Sequence, residues 1–161
     1  MEPAKTFHRW LTPAPDSALA HAKAIERSVG AQFVHLLWSA WIFITPLFSG
    51  GYSWRWAGFT LATYPLFLLL YTRTLTAPRR HAHWYPLAMV AMCAGLLRWY
   101  PEGLSYFIFG CVMLRVGGCQ RSVWSYIGQL LALNAAFVAY AMWLGFPWQM
   151  LVWLPPMTLI I

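Results

Sequence analysis

The sequence predicts an all-α membrane protein, a polytopic bundle of about six transmembrane helices with a short N-terminal amphipathic helix and a cytoplasmic N-terminus. Three observations predict it. Hydrophobic residues make up 60% of the 161 and charged residues only 9%, against about 45–50% and about 25% in soluble domains. Apolar runs alternate with brief breaks rich in Gly, Pro and polar residues, and such punctuation marks loops. The basic residues, finally, fall almost entirely into alternate breaks.

Residues 1–31 read as a cytoplasmic leader carrying Lys5, Arg9, Lys23 and Arg27. No apolar stretch followed by a small-residue cleavage site opens the chain, so a secretory signal peptide is not expected. Pro13-Ala14-Pro15 interrupts the leader, and Asp16 or Ser17 is placed to cap a helix beginning just after it. Leu19, Ala22, Ile25 and Val29 then recur at helical spacing, which predicts an amphipathic helix on the membrane surface.

The bundle proper, 32–161, divides into spans at about 32–48, 55–72, 84–100, 103–117, 122–144 and 148–161. A span needs about 20 residues, with ~17 a lower limit. Several runs must therefore borrow flanking residues, and the fourth is the shortest, which leaves five spans as the alternative count. Lys5, Arg9, Lys23, Arg27, Arg73, Arg79, Arg80, Arg115 and Arg121 fall on one side of this topology and only Arg55 and Arg98 on the other. An excess of basic residues marks the cytoplasmic side. Tyr52, Trp54, Trp56, Trp99, Tyr100, Trp143 and Trp148 mark the outer interface, with Trp84, Tyr85, Trp124 and Tyr126 at the inner one, where amphipathic rings settle. The last run is about 21 Å of helix against ~30 Å of hydrocarbon and stops without a polar flank. The expectation is that the natural protein continues beyond Ile161, into the cytoplasm.

A formal charge of +7 spread between apolar runs sets orientation in a membrane; with no basic stripe or RNA-binding motif, direct nucleic-acid binding is not expected. Cys93, Cys111 and Cys119 read as small buried hydrophobes, the last two about 12 Å apart along a helix, too far for a bridge. Phosphate-binding, zinc-protease, serine-hydrolase and C-x-x-C motifs are absent. Three of the four acidic residues (Glu2, Asp16, Glu26) lie in the leader. Catalytic, cofactor-binding and metal-ligating residues are therefore not expected within these residues. His81 and His83 sit beside Arg79 and Arg80, whose charge opposes metal capture, and His35 lacks an evident intramembrane partner.

Six residues stand out as sensing or switching candidates. Asn134 falls near the middle of the fifth span among Ala132, Ala135, Ala136 and Ala139, and intramembrane amides bond across helices. Arg98, Tyr100 and Glu102 cluster at a Pro-Gly turn on the outer face, where Arg98 and Glu102 could pair or read an external ligand. Pro155 and Pro156, like Pro46 and Pro65, remove backbone donors within a span and favour a kink.

Three stretches then carry a family likeness: Leu37-Trp38-Ser39-Ala40-Trp41-Ile42-Phe43, Gly103-Leu104-Ser105-Tyr106-Phe107-Ile108-Phe109-Gly110, and Pro147-Trp148-Gln149-Met150-Leu151-Val152-Trp153-Leu154-Pro155. With the leader from His8 to Ser17, they resemble the N-terminal membrane sensor region of DesK-type bacterial sensor histidine kinases. The resemblance implies a homodimer in the inner membrane that senses a membrane or envelope state. It implies a last helix that continues into a cytoplasmic coiled coil and phosphoacceptor helix, and a response regulator as final partner. ATP and Mg²⁺ would belong to that kinase region, not to this chain, which has no D-L-H-D box and no Gly-rich ATP lid. His21 is no substitute, because the family's phosphorylated histidine follows the spans. The Lys/Asn markers of the thickness-sensing member are not evident at the first span. A stand-alone transporter or channel-like bundle, and a membrane anchor, are the alternatives; transport would require more midplane polar residues than Asn134.

Overall fold

A computed structural model describes residues 12–24, 35–48, 51–117 and 122–160. All regular structure among them is helical: α1 (Ala18–Ala24), a 3₁₀ turn (His35–Ala40), α2 (Trp41–Phe48), α3 (Trp54–Thr76), α4 (Arg79–Ala82), α5 (Trp84–Leu96), a 3₁₀ turn (Pro101–Gly103), α6 (Leu104–Gly117), α7 (Val123–Trp143), α8 (Trp148–Leu151) and α9 (Leu154–Ile160). Lys5, Arg9, Ile25, Glu26, Arg27, Val29, Cys119 and Arg121 lie outside the described residues.

Local chemistry sets these boundaries. Ser17 is the leader's cap, its Oγ accepting the Ala20 N–H at 3.2 Å. Ser53 does the same for α3 through Trp56 N–H at 3.1 Å. Pro78 stops α3 by holding Ala77 extended (φ −72°, ψ 155°), as the residue before a proline must be. Gly145, at φ +89°, closes α7: its N–H reaches Met142 O at 2.9 Å and the Phe146 N–H reaches Ala141 O at 3.0 Å. This paired closure needs a left-handed residue that glycine supplies without strain.

α6 sits at the centre, packed on α5 most extensively and touching α3, α7 and α9 as well. Gly110 makes the α5 contact possible, since a Cβ there would lie 2.9 Å from Pro86 O and 2.7 Å from Val90 Cγ2. Phe107 stacks on Phe137 of α7 at 4.0 Å, and Phe67 of α3 packs on Tyr106 and Phe109 at 5.1 and 5.0 Å. Cys93 and Cys111 are free thiols buried in this core. The α3 threonines at 63, 72, 74 and 76 each donate to the carbonyl four residues earlier, so they add no unpaired donor to an apolar helix.

The two ends of the bundle differ in charge. At one, Ala14 N–H meets Thr76 O at 2.9 Å and Asp16 Oδ2 accepts the Arg79 N–H at 3.3 Å. The described part of the leader helix therefore packs against α3, with Ser17 and Ala22 buried. Arg79, Arg80 and Arg115 are exposed here, and the Arg73 guanidinium lies over the Tyr85 ring at 5.5 Å. At the other end α2 meets the Pro101–Gly103 turn, and Arg55 and Arg98 are the basic residues.

Among the described residues, one helix, α7, is long and apolar enough to cross a membrane by length and composition. The six expected spans thus reduce to one that meets both criteria. α5 and α6 have 13 and 14 residues, about 20 Å each at 1.5 Å per residue, and α2 is shorter still. α3 has 23 residues, but its threonines and terminal arginines dilute its apolar character. The expected final span is divided into α8 and α9. Pro155 and Pro156 cannot donate to Leu151 O and Val152 O, so the helix breaks at Val152–Trp153 and the prolines occupy the first turn of α9, where a missing N–H costs little.

Outward-facing side chains are strongly apolar nonetheless. Leu61, Trp54, Phe48, Leu37, Trp124 and Trp143 are each more than 70% exposed, whereas the buried set includes the polar Thr60, Thr63, Ser105, Asn134 and Thr158.

Candidate functional site

The candidate residues divide into two places. At the α7–α9 contact, Asn134 is only 3% exposed and Thr158 likewise 3%. Asn134 Nδ2 donates to Leu130 O at 2.9 Å and to Thr158 Oγ1 at 3.1 Å. The Thr158 hydroxyl donates onward to Pro155 O at 3.0 Å. Asn134 and Pro155 are therefore joined through one intervening hydroxyl, and Pro156 adjoins them in the same turn. A carbonyl can only accept, so the Leu130 bond fixes which atom of the amide is nitrogen. The amide oxygen is then left buried without a partner. Interhelix amide bonds of this kind contribute ~0.6–2 kcal/mol, and an unpaired buried acceptor costs about 1–3 kcal/mol. The two effects are of the same size.

Arg98, Tyr100 and Glu102 lie elsewhere, at the turn joining α5 to α6, and do not form one site. Pro101 holds Tyr100 at φ −142°, ψ 72°, which turns its ring inward until it is 1% exposed. Its hydroxyl pairs with Thr60 Oγ1 at 2.7 Å. Arg98 stays exposed and Glu102 half-buried; no ion pair joins them among the described residues. Of the two roles open to Arg98 and Glu102, the pair across the turn is not formed, and the inward Tyr100 lies between them in the chain.

Tyr100 belongs to a hydroxyl cluster between α3 and α6. Thr63 Oγ1 donates to Phe59 O at 2.7 Å, so its bond to the Tyr106 hydroxyl, at 2.9 Å, has the phenol as donor. The two phenol rings also lie against each other with centroids 6.4 Å apart, and Tyr100 is stacked on Phe59 at 5.7 Å. Gly103 leaves room for both rings: a Cβ there would lie 2.9 Å from Tyr100 Cδ1 and 3.4 Å from Tyr106 Cδ2.

Sequence reasoning missed Thr158, Thr60, Thr63 and Tyr106. The i, i+3 spacing of Thr60 and Thr63 in an apolar run was a usable signal, since it places both hydroxyls on one helix face. For Thr158 the signal was its position three residues after Pro155, within reach of that carbonyl. Among the described residues no group of His, Cys, Asp or Glu could hold a metal ion.

Fold and site together define an all-helical protein with one helix fit to span a membrane and two buried polar contacts between helices. Compared with known families, curated proteins and solved structures, the chain matches none.

Proposed function

We propose that this chain is the membrane-embedded sensing domain of a DesK-type sensor histidine kinase, passing a membrane or envelope stimulus through its last helix to a cytoplasmic kinase region outside these residues. In this reading the bundle is multi-pass in a bacterial inner membrane, with the N-terminus cytoplasmic. α3 crosses by length alone, while α5, α6 and the broken α8–α9 cross with help from their flanking turns. A second copy of the chain completes a homodimer, and ATP, Mg²⁺ and a response regulator act on the kinase region.

The observation that carries the reading is the polar contact from Asn134 to Thr158, which ties the C-terminal helix to the one helix apolar and long enough to span. A shift in the bundle is thereby felt by α9. The apolar exterior and the basic residues gathered at the end that holds the leader support the membrane orientation.

The test is phosphorylation of the natural gene product in membrane vesicles with ATP and Mg²⁺. A histidine-linked phosphate whose level follows bilayer composition or envelope stress is expected. A reading frame with no linker and phosphoacceptor histidine after Ile161 overturns the proposal. Cysteine labelling checks the topology separately: Arg80→Cys should react from the cytoplasmic side and Tyr52→Cys from the outer side.

A further inference from the structure

The contact between α7 and α9 leaves one acceptor without a donor and holds one donor that could serve it. Thr158 carries a single hydroxyl proton, directed at Pro155 O, and lies beside the Asn134 amide whose oxygen is buried and unpartnered. We propose that Thr158 is a two-position latch, its O–H turning from the Pro155 carbonyl to the Asn134 amide oxygen when α9 shifts against α7. In the second position the Asn134 N–H that faced Thr158 turns to the freed Pro155 carbonyl. Each bond lost is replaced, and the unpaired oxygen gains a donor.

Three features allow the movement. Thr158 Oγ1 is 3.1 Å from Asn134 Nδ2 and 3.0 Å from Pro155 O, so the hydroxyl already touches the carbonyl it would leave and the amide group whose oxygen it would join. Packed helices shift against one another by ~1–2 Å, the kind of movement the exchange calls for. α9 is also loosely tied to α8, because Pro155 and Pro156 offer no N–H to the preceding turn, and the Met157 N–H reaches back only to Trp153 O, at 3.1 Å, within the break itself. Thr158 is the polar side chain through which α9 bonds to α7. The inference rests on the sensor reading for its purpose, naming the element that would carry the signal; the latch is a property of α7 and α9 alone.

The test uses the whole chain in lipid nanodiscs and reads the Asn134 side-chain amide by ¹⁵N relaxation dispersion, which reports microsecond-to-millisecond exchange. Wild type is expected to show exchange with a minor state of ~0.1–10%. Thr158→Ser keeps a hydroxyl and should retain it, whereas Thr158→Val should lose it entirely. Flat dispersion in wild type overturns the proposal even if the variants fail to fold. Dispersion persisting in Thr158→Val, or a long-lived water cross-relaxing with the Asn134 amide in wild type, overturns it too, the water by giving the oxygen a fixed partner. Exchange at Asn134 without histidine phosphorylation in the natural gene product would remove the sensor reading and leave the latch standing.

Discussion

The hydroxyl cluster of Thr60, Thr63, Tyr100 and Tyr106 and the amide contact of Asn134 with Thr158 are both buried polar links between helices, yet they solve the pairing problem differently. In the cluster each hydroxyl has a partner, rigid aromatic rings carry two of them, and Phe59 and Phe67 pack around them. At Asn134 the amide nitrogen is paired twice and the oxygen not at all. A fully paired polar network in a low-dielectric interior holds one arrangement, and a partly paired one leaves a cost that another arrangement can relieve. The bundle therefore has a fixed contact at α3–α6 and an adjustable one at α7–α9.

The most damaging way to break that comparison is to disturb the fixed contact by overpacking. In Gly103→Ala the new methyl would press on the Tyr100 ring, which cannot swing aside because it is buried and bonded to Thr60. Forcing a methyl into a filled site costs about 1–3 kcal/mol, and unfolding in mixed detergent micelles should show a loss of that size. Tyr100→Phe comes next. It leaves the Thr60 hydroxyl buried without the partner it has now, for about 1–2 kcal/mol. Adding Thr60→Val should recover most of that loss, because the orphaned group is then gone.

The adjustable contact should respond in the opposite sense. Asn134→Leu removes a buried oxygen that bonds to nothing, and it strands no partner: Thr158 still donates to Pro155 O. The loss of the amide's two donor bonds is offset by removal of the unpaired buried oxygen. Stability in micelles is expected to stay within about 1 kcal/mol of wild type, while any stimulus-dependent phosphorylation of the natural gene product should be lost. A loss of stability larger than that of Tyr100→Phe would show that the amide, too, is a fixed strut.

Much of this was legible in the sequence. Helical character followed from the long apolar runs, and the breaks expected at 49–53, 73–83, 100–103 and 145–147 from Gly, Pro and polar clusters fall near helix ends, although α3 runs on through Arg73 to Thr76. Asn134 stood out as a polar residue in an apolar helix, and it is buried as that position suggests. Helix lengths were not legible: an apolar run includes turn residues that pack inward, as Leu97 and Tyr100 do after α5 while Arg98 and Trp99 between them stay exposed. Nor was the direction of Tyr100, because an aromatic at a chain turn suits an interface and a core equally well. The role of Thr158 depended on which helix faces it, a tertiary fact that spacing does not encode. The proline pair was read as a kink within a span, whereas it opens a new helix.

The smallest expected effect concerns the residues that looked most like a site. Arg98 and Glu102 flank a turn rich in recognisable features, but Arg98 is exposed and the two form no ion pair. Charges held apart in water gain little from one another. Arg98→Gln and Glu102→Gln should each leave unfolding unchanged, and the double variant should equal the sum of the singles, since no coupling exists to lose. If stimulus response nonetheless falls in either variant, the turn is reading something outside the chain. The inward Tyr100 is then the route by which that reading reaches Thr60 and α3, and the fixed contact would become the entrance to the adjustable one.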